Sequence, residues 1–81
     1  MYKILIVEDD ETIAGGLKNH LEKWNYQAEC MTDFKDVMGK FVEFEPQLVL
    51  LDIVLPFFNG FHWCQEIRKI SKVPIIFLSS A

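Results

Sequence analysis

Residues 3–10 read Lys-Ile-Leu-Ile-Val-Glu-Asp-Asp, a short apolar run that ends in three consecutive acids. A short run rich in branched apolar side chains, without alternation, is typical of a strand buried on both faces in a parallel sheet. The same pattern recurs at Leu48–Leu51, which is followed by Asp52, and at Pro74–Leu78, which is followed by two serines. Each predicted strand therefore carries polar side chains at its carboxyl end.

The segments between these strands have apolar residues at helical spacing, which predicts three helices. Their apolar positions are Ile13, Leu17, Leu21 and Trp24, then Phe34, Val37, Met38 and Phe41, and finally Phe61, Cys64 and Ile67. We expect residues Asp10–Thr12 to cap the first helix and Asn25 to end it. Thr32 or Asp33 is the expected cap of the second helix. The Gly15–Gly16 pair costs about 1 kcal/mol per glycine relative to alanine, and the sequence offers no compensating reason for it.

A weaker, alternating run at Tyr26–Cys30 suits a half-exposed edge strand, so the predicted element order is βαβαβαβ. Strands that alternate with helices indicate an α/β fold with a doubly wound parallel sheet and right-handed crossovers. The strands start near residues 3, 26, 48 and 74, so one strand and helix take roughly 24 residues. A five-unit sheet of this kind would need about 120 residues. We therefore expect residues 1–81 to form one incomplete domain.

The composition is that of a globular chain with a localised negative charge. The 81 residues include 12 acids and 8 bases, a net charge of −4, and four of the acids are consecutive at Glu8–Glu11. This balance disfavours a nucleic-acid-binding surface, and the cluster of acids favours a bound cation. The two cysteines fit neither a metal spacing nor a disulfide framework, and no apolar run approaches the roughly 18 residues that span a bilayer. We expect a cytoplasmic protein without a membrane partner.

The polar residues at the strand ends predict a site for phosphoryl chemistry. In an open α/β sheet, ligands bind at the carboxyl ends of the strands, where we expect Asp52 to neighbour Glu8 and Asp9. Like charges this close raise one another's pKa unless a cation intervenes, and oxygen ligands with room for water favour Mg²⁺ over Zn²⁺. A carboxylate neutralised by a metal can attack a phosphoryl group, to which the Ser79 hydroxyl can then donate a hydrogen bond.

Each of these features also has a purely structural interpretation. An acidic run before a helix commonly caps it, an Asp that closes a strand is often a turn residue, and a serine pair is often an ordinary loop. The joint occurrence of all three at strand ends favours the functional interpretation. His20 and His62 lie on predicted helices without partners, so we interpret them as surface or half-buried residues.

Three stretches of the sequence together resemble the receiver domains of bacterial response regulators. They are Lys3–Asp10, then Leu48–Pro56 followed by Asn59-Gly60, and Pro74–Ser79. The resemblance covers the whole chain and implies a flavodoxin-like receiver fold with strand order 2-1-3-4. It also implies an N-terminal fragment that stops before the fourth helix, the fifth strand and the fifth helix. The run of acids resembles the one found in the subclass whose receivers precede a winged-helix DNA-binding domain.

The resemblance implies a role for each matching residue. Asp52 would accept a phosphoryl group from a sensor histidine kinase. Mg²⁺ would be bound by Asp9 and Asp52, by Glu8 through water, and by the backbone carbonyl of Val54. The Ser79 hydroxyl would reorient toward the phosphoryl group. Contact with DNA would require an output domain outside these residues.

The sequence departs from the family pattern at two points. Phe57 stands where the family often has glycine after Pro56, which predicts a bulkier loop beside Asp52. No Lys-Pro dipeptide occurs in the 81 residues, so the lysine that pairs with the phosphoryl group in the family is absent, as is the aromatic switch residue of the fifth strand.

The main hypothesis is a phosphoacceptor receiver that controls a transcription-regulating output domain and catalyses at most its own phosphotransfer and dephosphorylation. The alternative is a non-switching protein-interaction or metal-binding fragment that lacks the phosphate-pairing lysine. An aspartate-nucleophile phosphohydrolase is disfavoured, because that class needs a second Asp two residues after the nucleophile and this position is Val54.

The predicted strand order has a consequence for association. Ile75–Leu78 would form an uncovered apolar edge, and the first helix would lie alone on its face of the sheet. Because exposed apolar edges recruit other chains, we expect self-association as a dimer, a strand-swapped dimer included.

Overall fold

The structure, a computed structural model, describes residues 1–78. The elements follow one another as β1 (Lys3–Val7), α1 (Glu11–Lys23), β2 (Gln27–Cys30), α2 (Val37–Phe44), β3 (Leu48–Asp52), α3 (Gly60–Arg68) and β4 (Ile75–Leu78). All strand pairs are parallel, and the order is β2-β1-β3-β4. The predicted α/β sheet and its strand order are confirmed. Ser79 lies outside the described residues.

β1 and β3 form the centre of the sheet and are buried on both faces. On one face they pack against α2 and α3 through a cluster of Leu5, Val7, Val37, Phe41, Val49, Leu51, Trp63 and Ile67. On the other face Ile4, Ile6 and Leu50 pack against Ala14, with Leu17 and Leu21 beside it, all from α1. Within residues 1–78, α1 is therefore alone on its face, as predicted. The chain leaves β1 toward one face and leaves β2 and β3 toward the other.

The predicted ends of α1 are confirmed. The Asp10 side chain accepts hydrogen bonds from the backbone N–H groups of Thr12 and Ile13, at 3.0 and 3.2 Å. These bonds satisfy donors that the first turn of a helix leaves free. At the other end Asn25 adopts a φ of 66°, in the left-handed region that asparagine tolerates at a helix terminus.

The expected cap of α2 is wrong. The helix begins at Val37, and Asp36 caps it by accepting the N–H of Gly39 at 3.0 Å. Asp33 instead accepts the N–H of Lys35 at 3.0 Å, and its carbonyl accepts the N–H of Asp36 at 3.2 Å. This turn competes with helix formation, so the helix starts later than the apolar spacing indicated.

β4 lies at the edge of the sheet and pairs with β3 among the described residues. Ile76 is 52% exposed and Phe77 is 38% exposed, so the edge presents apolar side chains. Within residues 1–78, no helix is both long and apolar enough to cross a membrane.

Gly60 allows α3 to start directly against the end of β3. Its N–H donates to the carbonyl of Ile53 at 2.8 Å, and a Cβ atom at this position would lie 2.2 Å from the carbonyl oxygen of Asp52. Such a distance is far inside van der Waals contact, so any other residue must displace α3 or the strand end. Around Gly15 and Gly16, by contrast, an added Cβ would meet nothing within 4 Å.

We expect Gly60→Ala to lower the free energy of unfolding by about 2 kcal/mol or more, because its Cβ overlaps the backbone of Asp52. Gly16→Ala is the matched control, and should raise stability by up to about 1 kcal/mol through helix propensity. Urea unfolding followed by far-UV circular dichroism measures both. Equal effects of the two substitutions would contradict the close approach at Gly60.

Candidate functional site

The pairing of β1 with β3 brings the predicted acids together. Val7 pairs with Leu51 across the two strands. Glu8 follows Val7 and Asp52 follows Leu51, so the two acids lie next to each other. Glu8, Asp9 and Asp52 each offer a carboxylate oxygen, and these three oxygens all lie within 4.8 Å of one another. The expectation that Asp52 neighbours the acids after the first strand is confirmed.

Two of the three carboxylates are almost completely removed from solvent. Glu8 is 7% exposed and Asp52 is 3% exposed, whereas Asp9 lies on the surface. Oε2 of Glu8 accepts the N–H of Asp10 at 3.0 Å. Oδ1 of Asp52 is buried and has no hydrogen-bond partner within residues 1–78. A buried carboxylate oxygen without a partner costs free energy, and among residues 1–78 none of the three acids forms a salt bridge that would offset this cost.

The protonation of Glu8 reflects this arrangement. Burial raises the pKa of Glu8 above its ordinary value, the N–H of Asp10 opposes that shift, and the negative charge of Asp52 adds to it. A cation between the carboxylates would favour their ionised forms.

The donor set fits a hard divalent cation such as Mg²⁺. It consists of carboxylate oxygens without nitrogen or sulfur, it includes a buried oxygen that has no hydrogen-bond partner in the described part of the chain, and the exposed Asp9 leaves one side open to water. Mg²⁺ binds through a few carboxylates and keeps several water ligands, which is the arrangement that this cluster offers.

The other predicted residues are placed differently. Asp10 caps α1 and is not one of the three clustered acids. Val54 lies on the loop after β3 with its side chain exposed, and the role of its carbonyl as a ligand remains a prediction. His62 is half-buried and stacks on Phe58 with ring centroids 4.4 Å apart, in agreement with its expected structural role. Ser79 lies outside the described part of the chain.

Phe57 lies on the loop after β3, which its departure from the family pattern predicts to be bulkier. Its φ of 69° lies in the left-handed region, which costs a residue with a Cβ about 1 kcal/mol or more. The side chain is 65% exposed, and Nζ of Lys35 lies 4.8 Å from its ring centroid. This cation–π contact joins the loop after β3 to the loop after β2. Sequence reasoning missed Lys35, whose only signal is its position in a loop at the same edge of the sheet.

The fold and the acids define a doubly wound domain with a cluster of three carboxylates where β1 and β3 end. A family model for the response regulator receiver domain matches residues 4–81. The chain belongs to this family, whose members are phosphoacceptor domains of two-component systems.

Two curated relatives illustrate the match. The chain is 54% identical over 80 residues to the uncharacterised transcriptional regulatory protein YvcP of Bacillus subtilis, and 48% identical over 80 residues to the sensory transduction protein BceR of Halalkalibacterium halodurans. Each alignment covers 99% of this chain, but 34% of YvcP and 35% of BceR. The chain thus spans about a third of the length of these relatives.

Solved structures of other response regulators have the same fold. The N-terminal domain of the nisin resistance regulator NsrR, a lantibiotic response regulator, is 48% identical with a TM-score of 0.92, over all of this chain and 68% of that one. TrrA of Thermotoga maritima in complex with Mg²⁺ and BeF is 33% identical with a TM-score of 0.90, over all of this chain and 71% of that one. TrrA in complex with the histidine kinase ThkA is 33% identical with a TM-score of 0.87, and the match covers 99% of this chain and 70% of that one.

We expect the contribution of Glu8 to the free energy of unfolding of the metal-free protein to fall as pH rises above about 4.5, the ordinary pKa of Glu8. Well below that pH, Glu8 is protonated in the folded and the unfolded chain alike. Above it the unfolded chain loses the proton first, because the folded pKa is raised, and the cost of the buried charge is complete once pH exceeds the folded pKa. Urea unfolding across this range should show the fall.

Glu8→Gln should remove this pH dependence of stability, because glutamine has nearly the same shape and does not titrate. Saturating Mg²⁺ should remove most of the same pH dependence in the parent protein. Identical pH profiles for the parent and Glu8→Gln without Mg²⁺ would contradict the raised pKa.

Proposed function

We propose that Asp52 is the phosphoacceptor and takes its phosphoryl group from a sensor histidine kinase. The observation that carries the proposal is the buried Asp52 carboxylate, which lies beside Glu8 and Asp9 and has one oxygen without a hydrogen-bond partner among residues 1–78. The kinase is supported by the complex of TrrA with the histidine kinase ThkA.

In the proposed reaction a carboxylate oxygen of Asp52 attacks phosphorus, and the bond between phosphorus and the donor nitrogen breaks. The product is an acyl phosphate on Asp52, and the donor imidazole leaves in the neutral form after taking up a proton. Asp52 is suited to this step because the sheet holds its backbone and burial restricts its side chain, which reduces the entropy lost on reaching the reactive geometry.

Asp9 and Asp52 would hold Mg²⁺ directly, with Glu8 acting through water and the carbonyl of Val54 as a further ligand. Bound Mg²⁺ supplies positive charge against the acceptor carboxylate and the phosphoryl oxygens. The Mg²⁺ and BeF complex of TrrA supports this assignment. The Ser79 hydroxyl would donate a hydrogen bond to the transferred group. Any catalysis by the domain would be limited to its own phosphotransfer and dephosphorylation.

The proposed role in the whole protein is control of transcription. YvcP bears the name of a transcriptional regulatory protein and is about three times as long as the matched segment. We infer that phosphorylation of Asp52 controls a DNA-binding output domain of the winged-helix type. The alternative is a protein-interaction or metal-binding segment that binds Mg²⁺ and does not switch.

Incubation with Mg²⁺ and acetyl phosphate should add one phosphoryl group, and Asp52→Asn should abolish the addition, because the amide is a far weaker nucleophile. Asp10→Asn is the matched control: asparagine caps helices as well as aspartate does, and Asp10 lies outside the acid cluster. Intact-protein mass spectrometry measures the added mass. Equal labelling of Asp52→Asn and the parent would exclude Asp52 as the acceptor.

Binding of Mg²⁺ and of a phosphoryl mimic separates the switching receiver from the non-switching alternative. Calorimetric titration with Mg²⁺ should give binding that Asp9→Asn weakens, and beryllofluoride should then add a second binding step in a switching receiver. Metal binding without a response to beryllofluoride supports the non-switching alternative.

We further propose that the 81-residue chain self-associates through the edge of β4, as a dimer. Ile76→Lys should shift it to monomer, because a charge on an edge strand opposes strand pairing. Ile70→Lys is the control, since Ile70 is also exposed and lies outside the strand. Light scattering measures the mass, and a monodisperse monomer of the parent chain would exclude this association.

A further inference from the structure

A contact between two loops crosses the carboxyl end of β1. Lys35 lies in the loop after β2, Phe57 lies in the loop after β3, and β1 lies between these two strands in the sheet. Nζ of Lys35 lies 4.8 Å from the centroid of the Phe57 ring. Because α2 and α3 pack on the same face of the sheet, both loops run toward that face. The Lys35–Phe57 bridge therefore spans the end of β1, the strand that Glu8 directly follows.

The backbone of Lys35 is held by its own loop. Its N–H donates to Oδ1 of Asp33 at 3.0 Å, and the preceding Phe34 packs against the apolar cluster on the α2 and α3 face. Among residues 1–78 the Lys35 ammonium group forms no salt bridge. Within this range the Phe57 ring is thus the group that the structure places against its charge.

Phe57 needs an interaction that keeps its backbone conformation. Its φ of 69° lies in the left-handed region, which disfavours a residue with a Cβ. The side chain is largely exposed, so burial in the core does not compensate this strain. A cation–π contact at an exposed site is similar in size to the cost of one left-handed residue. The Lys35–Phe57 bridge is therefore large enough to shift the balance between this conformation and others.

A change of conformation at Phe57 would reach the residues beside the phosphorylation site. On one side of Phe57, the ring of Phe58 packs edge-on against Trp63 of α3, with centroids 5.5 Å apart. On the other side, Asp52 is fixed in β3. The residues between Asp52 and Phe57 would therefore absorb the change. Val54 is one of them, and its side chain is 67% exposed, so packing does not hold it in place.

We propose that Lys35 and Phe57 are positioning residues for phosphorylation of Asp52. The bridge between them keeps Phe57 in the left-handed conformation and thereby keeps the carbonyl of Val54 where it can bind Mg²⁺. This inference rests on the proposed function, in which that carbonyl is a metal ligand. It also predicts a sign: through its charge alone Lys35 would repel Mg²⁺, whereas through the bridge it strengthens Mg²⁺ binding.

Calorimetric titration with Mg²⁺ tests the sign. Lys35→Met removes the charge from an unbranched side chain, and we expect roughly threefold weaker Mg²⁺ binding, the scale of a cation–π contact at an exposed site. Lys35→Arg keeps the contact and should restore the affinity of the parent. Lys72→Met is the matched control, because it removes the same charge from an exposed residue before β4, at the opposite edge of the sheet. Unchanged or tighter binding by Lys35→Met would overturn the proposal.

Two substitutions of Phe57 separate the ring from the backbone. Phe57→Leu removes the ring and keeps the cost of the left-handed conformation, so it should weaken Mg²⁺ binding about as much as Lys35→Met. Phe57→Gly also removes the ring, but glycine adopts a positive φ without steric cost, so its affinity should stay within about twofold of the parent. Lys35→Met added to Phe57→Gly should no longer weaken binding. Equal losses in Phe57→Leu and Phe57→Gly would contradict the proposal.

Amide hydrogen exchange, followed by NMR, reports the loop without metal. The N–H of Phe58 donates to the carbonyl of Pro56 at 2.9 Å, so this bond closes around Phe57. Lys35→Met should accelerate exchange at Phe58 roughly threefold, because the loop opens more often. Exchange at Val49, whose N–H donates to the carbonyl of Pro74 at 3.0 Å near the opposite edge, should not change. Equal acceleration at both amides would indicate a loss of global stability and count against the bridge.

The proposed function and the bridge fail separately. Labelling of Asp52→Asn as efficient as that of the parent would exclude Asp52 as the acceptor, and Lys35→Met should accelerate exchange at Phe58 regardless. Loss of labelling in Asp52→Asn, together with unchanged exchange in Lys35→Met, would overturn the bridge alone. Faster exchange at Phe58 without weaker Mg²⁺ binding would refute its link to the metal site.

Discussion

The fixed register between β1 and β3 is the constraint on which the site depends. It places the residue after Val7 beside the residue after Leu51, so two carboxylates meet at positions that the buried sheet cannot move apart. Neither carboxylate can turn to solvent, because each lies on a backbone held by strands on both sides. The free energy gained by burying the central strands thus imposes an electrostatic cost at their ends, which a bound cation would offset.

Much of the fold was predictable from the sequence because its signals are local. The first apolar run predicted both ends of β1. The capping residue Asp10 and the terminal Asn25 predicted the two ends of α1. The start of α2 was not predictable in the same way. Asp33 and Asp36 can both bond to nearby N–H groups, and only the packing around them decides which one caps the helix.

The site was predictable to the extent that it follows from strand topology. Parallel strands that end at one edge must bring Glu8 and Asp52 together, whatever the details of side-chain packing. The contact of Lys35 with Phe57 depends instead on how separate loops approach one another. It leaves no periodic or composition signal in the chain, so only the folded arrangement reveals it.

Gly60 limits how this sequence can change over evolutionary time. Every residue except glycine carries a Cβ, so every single codon change that replaces Gly60 places an atom against the Asp52 carbonyl. No series of small, conservative replacements avoids this step, whereas Gly16 can vary through alanine or serine without meeting a neighbour. The close packing of α3 against the end of β3 therefore requires a residue without a Cβ, and side-chain substitutions elsewhere cannot readily replace that requirement.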